Sequence, residues 1–185
     1  MKSSSGYSGV RKVEGRTVAL IIGAVALMGI LPFMTGCLSL SVDQNFINAW
    51  VNYDKASANL ASPAVEPNNA DDLISVGEQG VALQNQYGPV IAAYSVSDTY
   101  LPVQQVLVTL IKDRITFYDQ MNEWGTCVKP FSDEGVSDGG TCDAYLEEMN
   151  AANDDITADR NNLLNAMDNA GLQDQEYLVN NLGTQ

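Results

Sequence analysis

Residues 98–124, DTYLPVQQVLVTLIKDRITFYDQMNEW, decide the fold. Val103, Val106, Leu107, Leu110, Ile111, Phe117, Tyr118, Met121 and Trp124 recur at three- and four-residue spacing. On a helix that spacing makes one broad apolar stripe, the mark of an element packed on several neighbours. Pro102 is compatible with it, because it falls in the first turn, where a backbone N–H has no partner to lose. The stretch therefore predicts the central core helix of an all-α protein, and Gly125 predicts its C-terminal stop.

Downstream of that helix, residues 125–141 read as a polar loop with Gly135, Gly139 and Gly140 and the acids Asp133, Glu134 and Asp138. A fourth helix is expected over about 143–169, with Leu146, Met149, Ile156, Leu163 and Met167 on one face. Asn150, Asn153, Asp154, Asp155, Asn161 and Asn162 make the rest of that helix polar, and Gly171 fits its end. A short amphipathic helix, about 173–182, follows with Tyr177, Leu178 and Leu182.

Upstream, a helix begins near Asn69 or Ala70 with Asp71 and Asp72 in its first turn, where the helix dipole favours acids. Its stripe is Leu73, Val76, Gly80, Leu83 and Tyr87; Gly77 and Gly80 weaken a helix and predict close approach of a neighbour. Gly88-Pro89 predicts a break or kink, with 90–94 as a short apolar continuation. The first helix carries Val42, Phe46, Trp50, Tyr53, Ala56 and Leu60 on one face, opened by Ser41 and Gln44 as a capping box and stopped at Ser62-Pro63. A linker with Pro63 and Pro67 spans 61–69. No window alternates as a strand does. The expected architecture is a four-helix up-down bundle with a short C-terminal helix, forming a single domain over 42–185.

Residues 1–16 carry Lys2, Arg11, Lys12 and Arg16 against one acid, Glu14, and an apolar run follows from Thr17 to Phe33. A basic segment, a short apolar segment and a small-residue exit mark a secretory signal. The exit, Met34-Thr35-Gly36-Cys37, resembles the lipobox of lipoproteins with a type II signal peptide, with Met34 at the aliphatic position. The resemblance implies removal of residues 1–36, acylation of the Cys37 thiol and a membrane-anchored lead, 37–41. An uncleaved signal anchor is the alternative; both place residues 38–185 outside the cytoplasm. If the source is a Gram-negative bacterium, Leu38 lacks the aspartate that commonly retains lipoproteins at the inner membrane, and the outer membrane is favoured.

With Cys37 lipidated, Cys127 and Cys142 have one pairing between them, which an exported compartment permits. The bond would close a loop of about 16 residues, adding roughly 3 kcal/mol, and would pin the facing ends of an antiparallel helical hairpin. Two free thiols are the alternative. A two-cysteine metal site has no histidine to complete it.

The chain has no histidine at all, which removes Ser-His-Asp and Cys-His catalysis, histidine-ligated zinc and most general-base schemes. Neither standard glycine-rich phosphate loop is present. Formal net charge is −14, and loss of residues 1–36 leaves five bases and 22 acids. So acidic a domain is repelled by nucleic acid and by anionic lipid. Among the acids, Asp133, Glu134, Asp138 and Asp143 are the candidates for a divalent cation, since loop carboxylates and carbonyls suit Ca²⁺, although the EF-hand spacing is missing. The adjacent pairs Asp71-Asp72, Glu147-Glu148 and Asp154-Asp155 point apart on a helix and read as solvated faces. No cofactor is implied. The expected function is a non-catalytic, lipid-anchored accessory or interaction subunit in the cell envelope. A small-ligand or divalent-cation binding lipoprotein is the alternative.

Overall fold

A computed structural model of the chain describes residues 42–182; the signal segment, Cys37 and the Ser41 side of the expected capping box lie outside the described residues. Among the described residues there are four α-helices and no strand: α1 (Val42–Ser57), α2 (Ala70–Ala93), α3 (Leu101–Glu134) and α4 (Asp143–Asn169). Short 3₁₀ segments, Pro67–Asn69 and Gln173–Val179, precede α2 and follow α4. No helix of the described residues is long and apolar enough to cross a membrane.

The helices run up and down. Gly125 on α3 faces Ala70 and Ile74 on α2, whereas Gly80 faces Tyr118 and Gly88 faces Ile111, so α2 and α3 are antiparallel. Cys127, inside the last third of α3, bonds Cys142 at the start of α4. On the other side, the Ser97 N–H just beyond α2 donates to Asp43 at the start of α1 (2.8 Å), and Tyr53 further along α1 meets Gln84. The expected stripes are the core: Phe46, Trp50 and Tyr53 of α1, Leu73 and Val76 of α2, Val103, Leu107, Leu110 and Met121 of α3, and Met149, Ile156, Leu163 and Met167 of α4 are all buried.

Gly77 and Gly80 are where α2 and α3 come closest. A Cβ on Gly77 would lie 2.7 Å from the Tyr118 carbonyl oxygen, and one on Gly80 would enter the face of the Tyr118 ring. Close approach is thus the reason for both glycines. Gly125 belongs to the same seam and does not end α3: a Cβ there would meet the Ala70 carbonyl oxygen and Ile74 Cγ1, each at 3.0 Å. Burial of Trp124, Gly125 and Val128 against α2 carries the helix on for nearly three more turns, through Pro130. The carbonyl that Pro130 leaves without an amide belongs to Thr126, and both residues are exposed, so water can satisfy it. The true stop is Gly135 in the left-handed region (φ 66°), with Val136 N–H bonded to Phe131 O at 2.9 Å and Gly135 N–H to Ser132 O at 3.0 Å. These two bonds form a Schellman cap.

The same physics corrects the expected break at Gly88-Pro89. α2 continues to Ala93 because Gly88 and Ile91 pack inward while Asn85, whose carbonyl Pro89 leaves without an amide, and Pro89 itself face solvent. α4 matches its expected span and ends in a Schellman cap at Gly171 (φ 75°), with Leu172 N–H on Met167 O at 2.9 Å. The C-terminal segment is 3₁₀ and not an α-helix, with a non-helical Gln175 (φ −113°, ψ 17°).

The C-terminal segment lies against both α1 and α4 and closes that side of the bundle. Leu172, Leu178, Val179 and Leu182 are buried there.

Candidate functional site

The least expected residue in the core is Arg114, on α3, which is 1% exposed. A charge in a protein interior is costly unless its surroundings compensate. Its guanidinium carbon lies 6.0 Å from the Tyr53 ring centroid and 5.7 Å from that of Tyr118. Two aromatic faces thus supply the cation–π attraction that suits an arginine. Nη1 donates to the Asn181 carbonyl oxygen at 3.2 Å, and Nη2 reaches the Tyr118 hydroxyl at 3.4 Å. Asn181 turns its own donors the other way: its backbone N–H and its Nδ2 donate to the buried Asp54 carboxylate at 3.3 and 2.9 Å. One asparagine therefore stands between a buried cation and a buried anion.

Tyr53 completes this layer. Its hydroxyl donates to Gln84 Oε1, and burial pushes its pKa up to about 12, against a smaller downward pull from Arg114. The phenol stays protonated at any physiological pH. The rest of the C-terminal segment is gripped in the same manner, by its main chain: Trp50 Nε1 donates to Leu178 O at 3.1 Å, and Arg160 Nη2 to Val179 O at 3.1 Å. These bonds satisfy carbonyls at the end of the segment, where a helix leaves them without internal partners.

Over Arg114 a small cleft opens to solvent between the end of α1, the 58–65 connection, α3 and Asn181. Leu60, Pro63, Val65, Phe117 and Met121 give it apolar walls; Ser57, Tyr118 and Asn181 add polar groups, and Arg114 is the charged side chain among those lining it. No protein-family model matches this chain, and no curated protein or solved structure matches it either. The cleft must therefore be read from its own chemistry.

The other expected site residues fall elsewhere. Cys127 and Cys142 are joined, with Cα atoms 5.8 Å apart, although Cys127 sits inside α3 rather than beyond its end. The four acids considered for a cation do not converge. Asp133 and Glu134 are in the last turn of α3, exposed, and Asp133 pairs with Lys129 at 3.4 Å. Asp138 Oδ2 accepts the Cys142 N–H at 3.2 Å, closing the turn into α4, whose first residue is Asp143. Among the described residues, no three acids or cysteines are placed to hold a metal ion. Lys129 also bonds Asp71 at 2.8 Å, tying α3 to the start of α2; that bond, with Asp133 adding to it, raises its pKa.

One acid pair was beyond reach of sequence spacing. Asp113 on α3 faces Asp159 on α4, and desolvation, a shared hydrogen bond with Asp159 and the negative charge of Asp159 and Asp155 raise the Asp113 pKa to about 6. Asp154 and Asp155, one turn away on α4, are exposed as expected. Trp50 and Trp124 are core residues, 0% and 5% exposed.

Proposed function

We propose that this protein is a lipid-anchored, extracytoplasmic helical bundle that acts by binding rather than by catalysis, as an accessory subunit of an envelope assembly. The observation that carries the reading is Met34-Thr35-Gly36-Cys37 placed directly after a basic and then an apolar segment. A single acyl chain holds a protein to a membrane only marginally, so the reading requires more than one chain on the mature N-terminus. The absence of histidine from the sequence and the Cys127–Cys142 bond agree with a non-catalytic, exported domain. Metabolic labelling with an alkyne fatty acid tests it. The wild-type chain should take up label and partition with membranes, and Cys37→Ser should lose the label. Equal labelling of the two, or none in either, overturns the reading.

A partner surface on this view is the polar face of α4, where Asp154 and Asp155 are exposed. Reversing both charges should weaken recovery of co-purifying envelope proteins from detergent-solubilised membranes; unchanged recovery removes this face. The second reading, a ligand-binding lipoprotein, is favoured by the Arg114 cleft. The acids of the 133–143 segment give no support to its divalent-cation form, because they are dispersed.

A further inference from the structure

We propose that the end of the bundle formed by the α2–α3 turn docks on the lipid surface to which the chain is attached. The inference rests on N-terminal membrane attachment, in its acyl or its signal-anchor form, and adds which face of the domain meets the bilayer.

Connectivity places the attachment at this end. The Ser97 N–H, in the 94–100 connection, donates to the carboxylate of Asp43 in the first turn of α1 at 2.8 Å. Gln104 Nε2 donates to the Ile91 and Tyr94 carbonyl oxygens, both at 2.8 Å, which holds the end of α2 against the start of α3. The start of α1 and the α2–α3 turn therefore share one end of the bundle. Cys37 stands five residues before Val42, and five residues reach at most about 18 Å. A tether this short makes contact with the bilayer an intramolecular event, so a weak surface affinity is enough.

The surface presented there is nearly free of charge. Residues 79–111 run from the middle of α2 through the connection into α3 and carry one charged side chain, Asp98, in a chain of which 17% is charged. Val90 and Leu101 are 49% and 41% exposed, and Pro89 and Pro102 are exposed beside them. Tyr94 and Tyr100 are half-buried, and a tyrosine with an apolar body and a polar tip suits the headgroup level. Of the acids nearby, Asp43 is taken up by Ser97 and Asp168 belongs to the end of α4. Contact at this corner therefore strips water from apolar side chains while Asp98 stays among the headgroups. Among the described residues no helix can cross the membrane, so the contact is peripheral.

The opposite end excludes itself. Asp71 and Asp72 open α2 there, Asp133 and Glu134 close α3, and Lys129 is the base between them. Its exposed apolar residues, Val65 and Val136, stand next to Glu66 and close to Glu134. So acidic a surface is repelled by anionic lipid. Tether, apolar exposure and charge all orient the domain the same way.

The test is quenching of tryptophan emission by phosphatidylcholine brominated on its acyl chains. Val90→Trp, Leu101→Trp and, at the opposite end, Val136→Trp are introduced singly into the full chain, which is reconstituted into phosphatidylcholine vesicles and recovered by flotation. The wild type, with Trp50 and Trp124 buried, is the blank. The emission added by Val90→Trp or Leu101→Trp should fall at least twofold in brominated vesicles, and that added by Val136→Trp by less than a tenth. Either of the first two suffices if its helical circular dichroism matches wild type. Unquenched emission from every folded variant of those two overturns the proposal, whether the surface is then covered by the 38–40 lead, by a second copy or by water. Equal quenching of Val136→Trp overturns it too, and so does failure of the wild type to float. Fatty-acid label on Cys37 is read from the same floated sample: quenching without label upholds the docking surface and removes only the acyl form of the attachment.

Discussion

Replacing Gly80 by alanine puts a methyl group into the face of the Tyr118 ring. The new carbon would sit 2.5 Å from Cδ2, the farthest of the three nearest ring carbons, and nearer still to Cγ and Cδ1. Carbon atoms rest at about 3.5–4.0 Å, so the ring or the helix must retreat by about 1 Å or more. The ring has little room to do so. It is 7% exposed, stacks edge-on against Phe117 with centroids 5.3 Å apart, and lies against Arg114. Overpacking of this kind costs about 2 kcal/mol, and disturbing the aromatic and cation–π contacts adds about 1 kcal/mol. Alanine returns about 1 kcal/mol of helix propensity, leaving a net loss of about 2 kcal/mol. Urea unfolding of the oxidised protein measures it, with an unchanged slope showing that only stability has moved. In a Tyr118→Leu background the penalty should fall by at least half, because the obstructing ring is gone. If Gly80→Ala is as stable as wild type, or if its cost is the same with and without Tyr118, the close-packed seam is not what demands glycine there.

Gly88→Ala is the matching control: its Cβ would meet only Ile111 Cγ2, at 3.1 Å, so a methyl shift and the propensity gain should leave urea stability within about 0.5 kcal/mol of wild type. Reducing Cys127–Cys142, or replacing both residues by serine, should lower stability by about 3 kcal/mol and the thermal midpoint by on the order of 10 °C, read by circular dichroism with and without reductant. Asp113 has its folded pKa raised to about 6, so the folded state favours its neutral form. Its ionisation therefore subtracts stability progressively as pH rises from about 4 to 6 and in full above that range. Asp113→Asn should stabilise the protein at pH 7.5 by on the order of 1 kcal/mol, after allowance for solvent screening at a partly exposed site, and should change nothing at pH 3.5. Urea midpoints of both proteins across that range decide it. Asn181→Ala should cost about 2–4 kcal/mol, because it leaves Asp54 Oδ2 buried without its 2.9 Å amide partner; thermal unfolding reports it, and a loss below about 0.5 kcal/mol would deny Asp54 that dependence.

The sequence was most legible where one periodic signal acted alone. The stripe of α4 and its Gly171 cap located the helix, and the spacing of Cys127 and Cys142 between two apolar runs located the covalent tie. It misled where a residue with a strong local meaning had a stronger tertiary one. Gly125, Gly88-Pro89 and Pro130 all look like punctuation, yet each lies within a helix whose buried face goes on past it, and packing outweighs the local preference. The cleft was illegible for a different reason. Arg114 is one base among nine, at a position that the α3 stripe itself passes over, and nothing nearby in sequence announces its neighbours. Tyr53 and Asn181 reach it from opposite ends of the described chain. Asp113 and Asp159 meet only because two antiparallel helices bring them level.

The grip on residues 178–182 sets an order of events. Trp50 finds its hydrogen-bond acceptor 128 positions later in the chain, at Leu178, and Asp54 finds its donors 127 positions later, at Asn181. Contacts so distant in sequence carry a loop-closure cost that nearer ones do not, and they form late. The α2–α3 and α3–α4 hairpins need only their own neighbours and can assemble first. The first helix has no such local reward for its Trp50 and Asp54 side chains. The part of its inner face around Trp50 and Asp54 must wait until the far end of the chain has been made and swings in across it, so the locking of the amino-terminal element is completed late.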